Sequence, residues 1–122
     1  MPVHAPNGFR IFIGRNNLQN DRISFKMAAK NDYWFHVKKA PGSHVILSLE
    51  GLSAPAEDME YAAAVAAWFS SVREKGSVEV DYTPVKNLKK PPAANPGFVI
   101  YHVYKTMFVT AKEPTPEGEG NR

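Results

Sequence analysis

The chain has 122 residues, of which 43% are hydrophobic and 22% charged, enough for one globular domain with a real core and unlike a disordered chain. It contains no cysteine, which excludes disulfides, thiolate metal sites and cysteine nucleophiles and fits a reducing, cytoplasmic setting. The formal charge is +3, no apolar run is long enough to cross a bilayer, and nothing near Met1 resembles a signal peptide, so no membrane partner is expected.

Residues 1–8 are expected to be a flexible terminus. Phe9-Arg10-Ile11-Phe12-Ile13 alternates large apolar residues and predicts a strand, ended by Gly14 and a turn at Arg15-Asn16-Asn17. A short helix is expected after Asn20 as N-cap, with Ile23 and Met27 one turn apart. Tyr33-Trp34-Phe35-His36-Val37 predicts a strand with Tyr33, Phe35 and Val37 on one face and Trp34, His36 and Lys38 on the other. After a turn at Ala40-Pro41-Gly42-Ser43, His44 to Leu49 predicts a third strand. The strongest helix runs from about Pro55 to Lys75, with an apolar stripe of Met59, Ala62, Ala66, Phe69 and Val72 and with acids at its start. Ser77 to Thr83 alternates as a half-exposed strand. Pro84 to Pro96 is a Pro- and Lys-rich loop with one helical turn near Val85–Leu88. Phe98 to Val103 and Thr106 to Thr110 predict two last strands paired as a hairpin around Tyr104-Lys105. Residues 112–122 are expected to be a disordered acidic tail. The sum is an α+β domain over residues 9–111, with a mostly antiparallel sheet of about six strands, one long helix and one short one.

Charge is unevenly spread. From Glu113 onward the chain holds Glu113, Glu117 and Glu119 against Arg122 alone, so residues 1–112, with 14 basic and 9 acidic side chains, stand near +5. Lys86, Lys89, Lys90, Lys105 and Lys112 follow Pro84 with no acid among them. A single-signed surface attracts polyanions, because neutralising phosphates releases condensed counterions. The plainer alternative is a basic face that serves solubility.

Enzyme signatures are lacking. His36, His44 and His102 fall on predicted strands, but no HxH, HExxH or CxxC spacing accompanies them, and no metal or other cofactor is expected. Glu79 and Asp81 share a strand face and could be drawn with His36 as a hydrolytic site; a solvated strand edge explains them as well. There is no Gly-Lys phosphate loop and no GxSxG elbow. Trp34, His36, Lys38, Lys39, Ser43 and His44 differ, placing flat rings and ammonium groups around one strand and a Gly-Ser turn. Flat side chains stack on unpaired bases, while lysines and turn amides meet phosphates. Trp34 could equally be core.

Three stretches near the N-terminus, Gly14 to Asp21, Asn31 to Val37 and Pro41 to Val45, resemble the NFACT-R domain of the NFACT proteins. So do Val80 to Pro91 and Asn95 to Tyr101, and the motifs run in register from about Phe9 to Ala111. This family is called fibronectin-binding protein A-like in bacteria and nuclear export mediator factor in animals. The resemblance implies a non-catalytic, monomeric RNA-binding domain of a ribosome-associated quality-control factor. Its expected partners are tRNA and the stalled large ribosomal subunit, in template-free C-terminal tailing of nascent chains. Expected phosphate contacts are Arg15, Asn17, Lys38, Lys39, Lys86, Lys89 and Lys90. Trp34 and His36 are expected to stack or read base edges, and Ser43 and His44 to offer a turn-borne contact. Two alternatives are a protein-interaction module that docks on a ribosomal or quality-control partner, and a metal-dependent nuclease using His36, His44 and Asp81.

Overall fold

Alternation along the strands fixes two faces of one sheet, and each is covered by a different part of the chain. The computed structural model describes residues 3–115. Strands β1 (Val3–His4), β2 (Arg10–Ile13), β3 (Tyr33–Val37), β4 (Val45–Leu47), β5 (Val78–Pro84) and β6 (Lys105–Val109) form an antiparallel sheet of order β1-β2-β4-β3-β5-β6. With its two helices it is an α+β fold. No helix among the described residues is long and apolar enough to cross a membrane.

On one face, Phe35 and Val37 of β3, Val45 and Leu47 of β4, and Val78 and Val80 of β5 pack under helix α2 (Ala56–Trp68). Ala62, Ala63, Ala66 and Ala67 are fully buried there, since small side chains let the helix lie close to the sheet. On the other face, Trp34 and Ile46 sit side by side in register and are covered by Ile23, Leu88, Val99 and Tyr101. The cover comes from helix α1 (Asn17–Arg22), its π-helical continuation Ile23–Met27, and the loop from 85 to 104. Both faces of β3 and β4 are therefore interior.

Four sequence expectations change. The N-terminal stretch over 1–8 contains a strand: Val3 pairs with Ile11 and is 2% exposed, and Asn7 donates to the buried Asp58 carboxylate at the start of α2. The short helix starts earlier, because Asn16, not Asn20, caps it by accepting from the Gln19 amide. The long helix stops at Trp68, where the Phe69 carbonyl is taken by the Ser43 amide and the Pro41 carbonyl by the Ser71 amide. Gly42 and Ser70 bridge there, so the turn after β3 competes with further helical bonds. Finally, 98–103 makes no hairpin with β6. It runs as a covering strap, bridged to Lys89 through Ile100, while β6 pairs with β5. Of the acidic tail, 116–122 lie outside the described residues; Pro114 is buried, and the Lys112 amide bonds to Ala64.

Candidate nucleic-acid interface

The strap is held by buried polar groups. Asp81, on β5 opposite His36, accepts from the Tyr101 hydroxyl at 2.7 Å, the Thr106 hydroxyl at 2.8 Å and the Lys38 ammonium at 3.0 Å. His44 is a second anchor. Its Nε2 lies 3.2 Å from the Gly97 carbonyl, which can only accept, so Nε2 carries the proton and Nδ1 accepts from the Ser24 hydroxyl at 2.9 Å. The His44 amide donates to Asn20 Oδ1. Asp21 completes the clasp, taking the Gly97 amide at 2.8 Å and the Lys90 ammonium at 3.0 Å.

These contacts set the ionisation of the site. Burial pushes His44 down to about 4, helped by neighbouring His36, so it is neutral at physiological pH. Burial also lowers His36, outweighing its backbone bonds and the Asp81 charge. Burial raises Asp21, but the bonds from Gly97 and Lys90 prevail and leave it below the usual carboxylate value. The Asp81 hydrogen bond raises Lys38, and burial followed by Asp81 raises Tyr101.

The residues expected to touch RNA separate into three groups. Trp34 and His44 are interior, 1% and 2% exposed, so neither has an open face for a base. Trp34 is enclosed by His36 stacked at 5.7 Å, Tyr101 at 4.8 Å and the edge of His44. The exposed-face expectation fails for it because the strap covers that side of β3. Lys38 and Lys90 are occupied as structural cations, by Asp81 and by Asp21 with the Asn95 and Phe98 carbonyls. Ser43 is half-buried, its amide spent on Phe69.

The third group faces outward. Arg15, Asn17, Lys39, Lys86 and Lys89 are exposed. Arg15 lies over the Phe69 ring at 4.7 Å. Asn17 packs on Gly97, where φ is 87° and a Cβ would sit 2.8 Å from the Asn17 oxygen, so only glycine fits. Lys39 holds φ at 55°, a left-handed conformation uncommon for a residue with a side chain. Lys86 stands at the other end of β3, its amide bonded to the Lys30 carbonyl. The exposed Arg22, Lys26 and Lys30 belong with this group. The sequence reading passed over them because they sit in the short helix and its end; basic residues flanking Phe25 and Met27 were the available signal.

Acids on this side are consumed internally. Asp21 and Asp81 are paired as above, and Asp32, 4% exposed, accepts the Ala29 and Leu49 amides. Glu79, at the start of β5, is the exposed exception. Arg15, Arg22, Lys26, Lys30, Lys39, Lys86 and Lys89 form no ion pair among the described residues. The result is a largely uncompensated positive face.

The described residues assemble no metal centre. His36 and His44 do approach, ring centroids 5.7 Å apart, while His102 is exposed elsewhere. Among the described residues no three His, Asp or Glu side chains are placed to hold an ion. Both nitrogens of His44 and both oxygens of Asp81 are engaged in hydrogen bonds.

Among the described residues one buried side-chain polar atom is left over. Trp34 Nε1 is buried without a hydrogen-bond partner, a cost on the order of 1–3 kcal/mol.

Comparison with known proteins agrees with this architecture. The family described as NFACT protein RNA binding domain is matched over residues 3–102. Two relatives carry the name Rqc2 homolog RqcH. The Streptococcus suis protein is 47% identical over 84% of this chain and 18% of its own length, and the Bacillus subtilis protein 44% identical over 91% and 19%. Coiled-coil domain-containing protein 25 of Mus musculus is 30% identical over 86% of this chain and 52% of its own. The solved C-terminal part of the fibronectin/fibrinogen-binding protein from Streptococcus suis superposes with a TM-score of 0.87 at 44% identity. That likeness covers 92% of this chain and 45% of that one. The chain thus spans about a fifth of the RqcH relatives it matches.

Proposed function

Because this chain belongs to the NFACT RNA-binding domain family, we propose that it binds RNA through the strap-side basic face and carries no catalytic residues of its own. The observation that carries this reading is the partition of charge. Asp21, Asp32 and Asp81 are spent inside the fold, while Arg15, Lys39, Lys86 and Lys89 stay exposed and unpaired among the described residues. Such a surface gains affinity for polyphosphates by counterion release. Lys38 and Lys90 contribute mainly by holding the strap, and Trp34 and His44 by building the floor beneath it.

The target we propose is tRNA on a stalled large ribosomal subunit, in the cytoplasm, with the domain as one part of a ribosome quality-control factor that supports C-terminal tailing. The resemblance and the Rqc2-homologue relatives support this. The test is a titration of the domain with tRNA and with large subunits at two salt concentrations. Binding that weakens steeply with salt is expected; no binding, or salt-independent binding, would overturn the reading.

One observation favours a second contact. Val103 and Phe108, 70% and 69% exposed, lie just before and within the edge strand β6. An edge with apolar side chains suits docking on a protein partner of the same assembly.

A further inference from the structure

A cleft of about 240 Å³ opens between the strap and the end of β3, lined by Trp34, His36, Lys39, Gly97, Phe98 and Tyr101 among others. Four features of it are unusual together. Trp34 lines it, and Trp34 Nε1 is the one buried side-chain nitrogen or oxygen without a partner among the described residues. His36 donates from Nδ1 to the Val37 carbonyl at 2.6 Å and stacks on Trp34 at 5.7 Å, with the Gly42 backbone as a further partner of its ring. Phe98, on the strap, is 54% exposed although aromatic. Lys39 reaches the cleft from a strained backbone held at φ 55°, and such strain concentrates where a side chain must be aimed.

We propose that this cleft receives one unpaired nucleobase of the bound RNA. The inference rests on the RNA-binding reading above and names what the centre of that face recognises. The volume lies below the roughly 300–1000 Å³ of sites for drug-sized molecules and suits a single planar ring system. The base lies against Phe98, and a ring acceptor or carbonyl takes the Trp34 N–H. The Lys39 ammonium meets the phosphate of the same nucleotide. A donor that no protein group satisfies is thereby paired only in the complex, which favours RNA with an accessible base over a fully paired helix.

The experiment compares a short single-stranded RNA with an abasic chain of the same length, by NMR of the protein with 15N-labelled tryptophan. The two indole signals are assigned with Trp68→Phe. The base-bearing RNA is expected to move the Trp34 indole signal and to bind about five- to tenfold tighter than the abasic chain, which leaves that signal in place. In Phe98→Ala, whose exposed ring is not part of the core, the preference for the base-bearing chain should vanish while salt-dependent binding remains. Equal binding of both chains with an unmoved indole, or a preference unchanged in Phe98→Ala, overturns the base pocket and leaves the basic face standing. Failure of both chains to bind overturns the pocket and the RNA-binding reading together.

Discussion

The Tyr101 hydroxyl donates to the Asp81 carboxylate at 2.7 Å, and that bond joins the strap over Trp34 to strand β5 of the sheet. Tyr101→Phe keeps the ring against Trp34 and removes only the donor, leaving Asp81 its bonds from Lys38 and Thr106. Loss of about 1.5–3 kcal/mol in denaturant unfolding is expected, as for a hydrogen bond to a charged group. Greater access of a quencher to Trp34 fluorescence should accompany it. Unchanged stability and quenching would mean that the strap is held by packing alone.

His44 predicts an acid limb of stability. Buried and neutral, it titrates near 4 in the folded chain, against an ordinary 6.5. A histidine that is harder to protonate when folded stabilises the fold fully above pH 6.5, and the contribution drains away as pH falls toward 4. The full effect is on the order of 3 kcal/mol. His36, also lowered, adds in the same direction. Urea titrations from pH 7 to pH 4 should show most of this slope missing in His44→Gln. An identical slope in the variant would assign the acid limb to other groups.

Gly14 and Asn20 report on the entry to α1. A Cβ on Gly14 would collide with Asn20 Oδ1, the atom that accepts the His44 amide, and would lie 2.9 Å from the Asn20 Cα. Gly14→Ala should therefore cost about 1–3 kcal/mol by overpacking. Thermal melts of Gly14→Ala and of Gly8→Ala, where the space is open but φ is positive, separate the clash from backbone strain. A larger loss at Gly8 would contradict the packing argument.

Most of the sheet was legible in the sequence because strand alternation is local. Phe35 and Val37 against Trp34 and His36 gave the two faces of β3, and Pro55 with Glu57 and Asp58 gave the start of α2. What failed was non-local. Phe98 to Val103 has the composition of a strand, yet its apolar side chains are spent covering Trp34, and only the fold reveals that β3 is covered twice. The end of α2 depends on the Pro41 carbonyl accepting from the Ser71 amide and on the Ser43 amide donating to the Phe69 carbonyl. Among the candidate contacts, residue type identified the lysines but could not rank them. The partner of Lys90 is Asp21, 69 positions away, and that of Lys38 is Asp81.

That ranking is testable through Lys90. Lys90→Ala removes its bonds to Asp21 and to the Asn95 and Phe98 carbonyls, so it should lower stability by about 1–2 kcal/mol. Lys89→Ala, exposed and unpaired among the described residues, should leave unfolding unchanged. Equal effects on calorimetric melting would remove the distinction between structural and free cations.

The most direct test of the central claim is the salt dependence of tRNA binding by Lys39→Ala/Lys86→Ala/Lys89→Ala, measured against the unaltered domain. Each phosphate contact contributes about 0.7–0.9 to the log–log slope, so the triple variant should bind more weakly with a slope shallower by roughly two. An unchanged affinity and slope in a variant that still folds would contradict the assignment of RNA to this face.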